Sequence, residues 1–356
     1  MHRLQFWLRI LDSPLSTLMH IFLYEWATGG GLVEQLGPLP ASLVREGMAM
    51  VGALAAGLVR IEGCRVTTLR DPRVLHLALP GCEIVDVFSS FSHGEEIERL
   101  SSAADAAIFI APEFDGILLA TVMRAVAGGA RLLSPSPQFI HIAADKQRTA
   151  ELLSKAGVPT PEGIVLEPES SLPDDFVYPA VLKPVDGAGS QDTYLVSGPH
   201  DAPPAYAWRR RLERYVPGLP ASVALLCGPA GRVALMPCKQ RISDDGRLRY
   251  LGGELPLAGG LAERATTLAE RALDAMPPVT GYVGVDLVLG RDPHGGEDAV
   301  IEVNPRLTTS YVGLRAAAQT NLAEIMWRIA QGESHCIEFS HRPIEFDPNG
   351  NVSFMR

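Results

Sequence analysis

The sequence reads as a mixed α/β and α+β protein with two architectures in series. Three observations carry this reading. Up to about residue 144, apolar strand-like runs alternate with helix-length runs, the pattern of a parallel, doubly wound sheet. From there to about residue 258, strands dominate, separated by turns rich in proline and glycine. Beyond these, two further strand-like runs, residues 281–290 and 299–305, carry acids and an amide inside otherwise apolar segments.

The elements follow in order. Residues 20–32, HIFLYEWATGGGL, read as a strand entering a glycine-rich turn, and residues 41–61 as a long apolar helix. CRVTTL and EIVDVF give a second and third strand, a helix follows over about 94–104, then strand 106–112 and a helix in GILLATVMRAVAGGA. DKQRTAELLSKAGVPTP (145–161) carries a full set of helix punctuation. Asp145 can cap its start, Gly157 its end, and Pro159 and Pro161 forbid continuation. GIVLE, PAVLKPV, TYLVS, SVALLC and RVALMP are strands. A helix over 262–276 stops at Pro277, and a last helix over about 312–331 ends at Gly332. The domains expected are 19–144, 145–216 and 217–335. Residues 336–356 are polar with little periodicity and are expected to form a loose tail.

The 356 residues fit two or three domains, at about 100–200 residues each. With 47% hydrophobic residues there is material for real cores. The balance of 31 basic against 41 acidic side chains, net −10, argues against a nucleic-acid or anionic-membrane surface, while leaving room for a local basic pocket. Five scattered cysteines, with no CxxC, fit small buried hydrophobes in a reducing cytoplasm. No apolar run reaches the roughly 20 residues needed to span a bilayer. In residues 1–18, Arg9 interrupts the apolar patch, Asp12 follows, and no A-x-A-like site appears. They read as an upstream extension before a natural start at Met19, or as a short amphipathic helix.

Strand alternation locates the candidate chemistry. Val283, Val285, Leu287 and Leu289 share one face, with Asp286, Tyr282 and Gly284 on the other. Ala299, Ile301 and Val303 share one face; Glu302 and Asn304 share the other. If the two strands pair as a hairpin, Asp286, Glu302 and Asn304 converge. Two carboxylates and an amide oxygen suit Mg²⁺; the alternative is a solvated sheet face. Lys183 ends an apolar strand, which is costly unless it snorkels or meets an anion. The loop after it offers Gly187, Ala188, Gly189 and Ser190, able to close over phosphates or to form an ordinary turn. Lys146 opens a helix and is an anion candidate or a surface lysine.

The order of these parts, Lys146, Lys183, the glycine-rich loop, ERYVPG (213–218), Asp286 and Glu302-x-Asn304-Pro-Arg306, resembles the ATP-grasp superfamily over roughly 145–330. That resemblance implies two α+β lobes gripping ATP behind a Rossmann-like domain. It implies that Lys146 and Lys183 hold the nucleotide phosphates and that residues 187–190 form a lid on the γ-phosphate. Glu213, Tyr215 and Val216 would form the adenine hinge. Asp286, Glu302 and Asn304 would hold one or two Mg²⁺ (or Mn²⁺), and Arg306 would face the reacting carboxyl or phosphate. Arg306 and Lys183 are the catalytic candidates. Two positions depart from the family pattern: Glu213-Arg214 stands where Gln-Glu is common, and Pro220 where many members carry an acid.

YEWATGGGL, REGMAM, RDPRV, IAPEFDGIL and NPRLTTSYVGLR are similar to one branch of that superfamily, which contains the tyramine–glutamate ligase of methanofuran biosynthesis. The resemblance implies an ADP-forming carboxylate–amine ligase working through an acyl phosphate, joining glutamate to a tyramine- or tyrosine-like amine. The other readings are a ligase extending another amino-acid or polyglutamate chain, and a non-catalytic nucleotide-binding module. Substrate candidates are Gly29, Gly30 and Gly31, at the strand end where doubly wound sheets bind ligands, with Glu113, Thr309 and Ser310. Gly29–Gly31 read equally as a tight turn, and Glu113 as a capping or surface acid. Tyr24, Trp26, Phe114 and Tyr311 are candidates for an apolar wall. The expected partners are the small-molecule acid and amine, with self-association as a homodimer, and neither nucleic acid nor membrane.

Overall fold

The computed structural model describes residues 19–187 and 189–355. The expectations for residues 1–18 and for Ala188 lie outside the described residues. The first sheet is built from β1 (Met19–Glu25), β2 (Cys64–Arg70), β3 (Cys82–Asp86) and β4 (Ala106–Ile110). Its order is β3-β2-β1-β4, all parallel, as the alternation requires. The helices between are α1 (Ala41–Leu58) and α2 (Ser90–Ala103), followed by α3 (Ile117–Ala127), α4 (Pro137–Ala143) and α5 (Lys146–Lys155). Asp145 caps α5, accepting from the N–H groups of Gln147 and Arg148. Gly157 follows with φ 70°, a left-handed conformation that glycine adopts without strain.

The second sheet is antiparallel, ordered β5-β8-β6-β7, from β5 (Gly163–Leu166), β6 (Ala180–Pro184), β7 (Tyr194–Val196) and β8 (Arg210–Arg214). The third has eight strands. It takes β9 (Leu219–Gly228), β10 (Gly231–Ala234), β11 (Cys238–Ile242) and β12 (Tyr250–Leu255). After α6 (Gly259–Asp274) come β13 (Gly281–Leu289) and β14 (Ala299–Asn304). Then follow α7 (Ser310–Ala317), α8 (Leu322–Ala330), β15 (Ile344–Phe346) and β16 (Val352–Phe354).

Two expectations are corrected here. The single helix over 312–331 is two, α7 and α8, broken at 318–321, where Asn321 caps the second by accepting from the Ala323 N–H. The loose tail is instead a pair of strands: β15 pairs with β12, and β16 with β15. Ile344 and Phe346 carry the packing; both are fully buried in the main core. Gly253 and Gly313 make room for the Phe346 ring, since a Cβ at either would lie 2.5 Å or 2.3 Å from it. Phe346→Ala is therefore expected to cost about 3–5 kcal/mol in urea unfolding. A loss under about 1 kcal/mol would restore the loose-tail reading.

The third sheet is packed on both faces. Val283, Val285, Leu287 and Leu289 join α6 in one core, as alternation predicts. Tyr282, Ala224 and Leu226 turn to the other face and share a core with β1, α1, α7 and α8. By length and composition α1 is, among the described residues, the helix apolar enough to cross a membrane. One face of it packs against β1, β2, α7 and α8.

Candidate active site

A cavity of about 640 Å³ is lined by residues of all three sheets, a size within the range of small-molecule sites. β13 and β14 do pair antiparallel, which sets Asp286 directly opposite Glu302 and Gly284 opposite Asn304. Between Asp286 and Leu287 the register slips by a bulge. Val300 thus takes the place on the buried apolar face expected of Ile301, and Ile301 turns to the cavity.

The Asp286 carboxylate accepts from Asn304 Nδ2 at 3.0 Å and from Gln240 Nε2 at 2.8 Å. This orientation leaves the Asn304 amide oxygen for a ligand. Burial, then the charge of Glu302, pushes Asp286 up to about 7. Burial also acts upward on Glu302, but the ammonium groups of Lys146 and Lys183 outweigh it and hold Glu302 low. Two facing carboxylates that resist joint ionisation fit a divalent cation. Among the described residues no cluster of three or more His, Cys, Asp or Glu gathers to hold a metal. Two carboxylates and one amide would leave the remaining positions to water and phosphate oxygens, as Mg²⁺ prefers.

Three cations face these acids. Lys146 Nζ lies 2.9 Å from Glu302 Oε1 and also donates to the Gly187 carbonyl, so it ties the acid pair to the loop after β6. Lys183 Nζ lies 2.6 Å from Glu213 Oε1. Glu213 in turn accepts from Arg211 Nε at 2.9 Å, and Arg211 also reaches the Gln147 side chain and the Pro161 carbonyl. Lys183, Arg211 and Glu213 are all buried. Arg306 Nη2 donates to Glu113 Oε2 at 3.0 Å, and its Nε lies 2.9 Å from Oε1. In the loop, Gly189 (φ 64°) and Ser190 (φ 57°) are both left-handed, so successive N–H groups turn to one side. At the hinge, the Tyr215 N–H is taken by the Pro179 carbonyl at 3.1 Å. Among the described residues, the Tyr215 carbonyl and the Val216 N–H have no backbone partner.

The cavity therefore gathers Lys146, Lys183, Gly187, Gly189, Ser190, Glu213, Tyr215, Val216, Asp286, Glu302, Asn304, Arg306, Thr309 and Ser310. It does not take in Gly29, Gly30 and Gly31. The N–H groups of Gly29 and Gly31 are used on Glu25 and Trp26 carbonyls. A Cβ at Gly31 would sit 2.1 Å from the Trp26 ring, so these glycines serve close packing of the turn. Glu113 lies in a neighbouring cavity and holds Arg306, so its carboxylate is not presented to the main cavity. Of the four aromatic candidates, Trp26 lines the site. Tyr24 and Tyr311 are core, and Phe114 packs edge-on to Trp26 at 6.0 Å.

Sequence reasoning missed Gln240 and Arg211, which sit on strands it did not read, and Glu25 and Glu46, which lie in elements read as a plain strand and helix. Glu25 is 4% exposed and accepts from the Ala27 N–H and from the Thr28 N–H and hydroxyl. Burial pushes it up to about 7; those hydrogen bonds and the charge of Arg306 oppose the rise. Glu46, on α1, lines the same cavity, and burial raises that carboxyl too. Between its ordinary 4.5 and about 7, the folded state holds the Glu25 proton more tightly than the unfolded chain, so stability falls as pH rises through that window. Glu25→Gln is expected to remove that slope. Relative to the parent it gains up to about 3 kcal/mol between pH 4.5 and 8 in urea unfolding, and a pH-independent difference would disprove the titration.

A protein-family model described as an ATP-grasp domain matches residues 143–310, and one described as a pre ATP-grasp 3 domain matches residues 64–140. The chain belongs to the ATP-grasp superfamily. It is an ATP-dependent ligase of that superfamily. It is 23% identical over 331 residues to the tyramine–L-glutamate ligase of Methanocaldococcus jannaschii, covering 91% of this chain and 93% of that one. It is also 23% identical over 320 residues to the enzyme of that name from Methanocaldococcus fervens, covering 88% and 94%. Among solved structures, an ATP-grasp superfamily protein from Archaeoglobus fulgidus superposes with a TM-score of 0.68 at 23% identity, covering 92% of each chain. The L-amino acid ligase of Bacillus licheniformis gives 0.68 at 15% identity, covering 92% of this chain and 79% of that one. The ATP-grasp fold accounts for the second and third sheets, with the parallel sheet in front.

Proposed function

We propose that this ATP-grasp protein joins glutamate to a tyramine- or tyrosine-like amine in methanofuran-type one-carbon cofactor biosynthesis in the cytoplasm. The reading rests on the end-to-end match with two ligases of that name. Lys146 and Lys183 bind the phosphates of ATP, and the N–H groups around Gly189 and Ser190 cover the γ-phosphate. The Tyr215 carbonyl and Val216 N–H take the edge of the adenine. Asp286, Glu302 and Asn304 hold Mg²⁺ or Mn²⁺, which when bound offsets the charge of the transferring phosphoryl group.

Arg306 orients the acid, fixed by Glu113. The acid's carboxylate oxygen attacks the γ-phosphorus, and the bond to ADP breaks. The amine nitrogen, as the free base, then attacks the acyl carbon; phosphate leaves with the C–O electron pair, and the N–H proton passes to it or to solvent. The buried cations stabilise charge where it develops, and the closed loop excludes water from the acyl phosphate. Thr309 and Ser310, at the start of α7, face the acyl oxygen. The test is a product search by mass spectrometry with ATP, glutamate and tyramine or tyrosine. A glutamyl conjugate is expected. Turnover only with another acid–amine pair would remove the substrate assignment.

A further inference from the structure

α1 presents Leu43, Glu46, Gly47 and Met50 to the cavity, spaced three, one and three apart, which is one face of a helix. At Gly47 the helix closes on the end of β1: a Cβ there would lie 2.5 Å from the Glu25 carboxyl carbon. Only glycine lets the Glu25 carboxylate stand between helix and turn. Glu46 stands one residue before it, and its Oε2 comes within 4.0 Å of where a Cβ on Gly189 would be, at the edge of the phosphate loop.

The other buried acids around this cavity are committed. Glu302 pairs with Lys146, and Glu213 with Lys183 and Arg211. Glu113 pairs with Arg306, and Asp286 accepts from two side-chain amides. Among the described residues, neither Glu25 nor Glu46 forms an ion pair. Glu25 is nine-tenths buried yet meets only hydrogen-bond donors of its own turn. A buried carboxylate without a counter-ion is costly, and a cationic ligand offsets that cost. Burial raises both carboxyls against the opposing charge of Arg306.

We propose that Glu25 and Glu46 form a binding site for a primary ammonium group of a substrate, with Trp26, Leu43 and Met50 as the apolar wall beside it. Lys146 and Lys183, which line the same cavity, are suited to anions. A substrate with an ammonium at one end and an apolar body meets both kinds of contact on the α1 side. The site deepens the ligase reading and rests on it. An ammonium is carried by the amine substrate and also by an amino-acid substrate, and the arms of the experiment separate them.

The productive pair is found first, by ADP release across amino acids and primary amines with the full chain and Mg²⁺–ATP. Failure of glutamate with tyramine at this step strikes the substrate assignment alone. With the productive pair, Glu25→Gln and Glu46→Gln are compared with the parent. Each should raise KM for one ammonium-bearing substrate at least about tenfold, with KM for ATP within about twofold. Trapping of the acyl phosphate by hydroxylamine, with the amine omitted, separates the sources. Unchanged trapping places the amine at the site, and trapping that demands more amino acid places the amino acid there. Gly47→Ala, which displaces the Glu25 carboxylate without changing charge, should reproduce the KM effect. Unaltered KM for both substrates in both glutamine variants, or a productive pair with no ammonium, would overturn the site.

Discussion

Glu302→Gln is expected to lower kcat by about 10²–10³-fold or more, the scale of losing one preorganised charge partner in a transition state. The reason is its double position: Glu302 faces Asp286 across the β13–β14 pair and holds Lys146 at 2.9 Å. Glutamine keeps the volume and an oxygen, so Lys146 retains the Gly187 carbonyl and an amide. Circular dichroism should therefore remain that of the parent. Single-turnover ADP formation at several Mg²⁺ concentrations is the measurement. A rate equal to the parent's at ordinary Mg²⁺ would remove Glu302 from the metal site.

Lys183→Ala should weaken ATP binding by about 2–5 kcal/mol, the range for truncating one partner of a buried charge contact. Lys183 is suited to this test because its removal leaves Glu213 still paired to Arg211 at 2.9 Å. The buried acid is not orphaned, and the loss falls on the ligand. Calorimetry with a non-hydrolysable ATP analogue and Mg²⁺ reads it directly. Equal affinity in the variant would mean that Lys183 serves only to neutralise Glu213.

What could be read from the sequence depended on whether polarity and periodicity agreed. β1, β4, β6 and β13 are apolar runs of strand length, and α5 has a cap at each end, so their residues announce them. The metal-side pair was visible because Asp286 and Glu302 stand out against apolar neighbours of period two. β8, RRLER, was not visible: a charged pentapeptide looks solvated. It is buried because Arg211, Glu213 and Lys183 neutralise each other across the strand pair, a long-range fact with no local signal. β15 and β16 failed for a related reason. Three-residue strands have no period to detect, and Phe346 finds its place only against Gly253 and Gly313. Glu25 and Glu46 were hidden because one ends a strand and the other lies on a helix face, and only folding brings both to one cavity. The glycine run 29–31 misled in the opposite direction. Its composition matches a ligand loop, yet the N–H groups of Gly29 and Gly31 are spent inside the turn.

The division of the cores has a mechanical consequence. The first and third sheets share one apolar core through α1, α7 and α8, whereas the middle sheet has a separate core of seven buried residues. The first and third sheets thus behave as one anvil, and any motion between them would tear packed surface. The middle sheet is the jaw, carrying Lys183 and the loop after β6 and joined to the anvil through residues 156–162 and 215–218. Work done in gripping a ligand must be a swing of this jaw. Cross-linking the first sheet to the third should accordingly leave turnover intact, while a cross-link from α1 to the loop after β6 should arrest it. If the first cross-link stops the enzyme and the second does not, the anvil and jaw have been assigned the wrong way round.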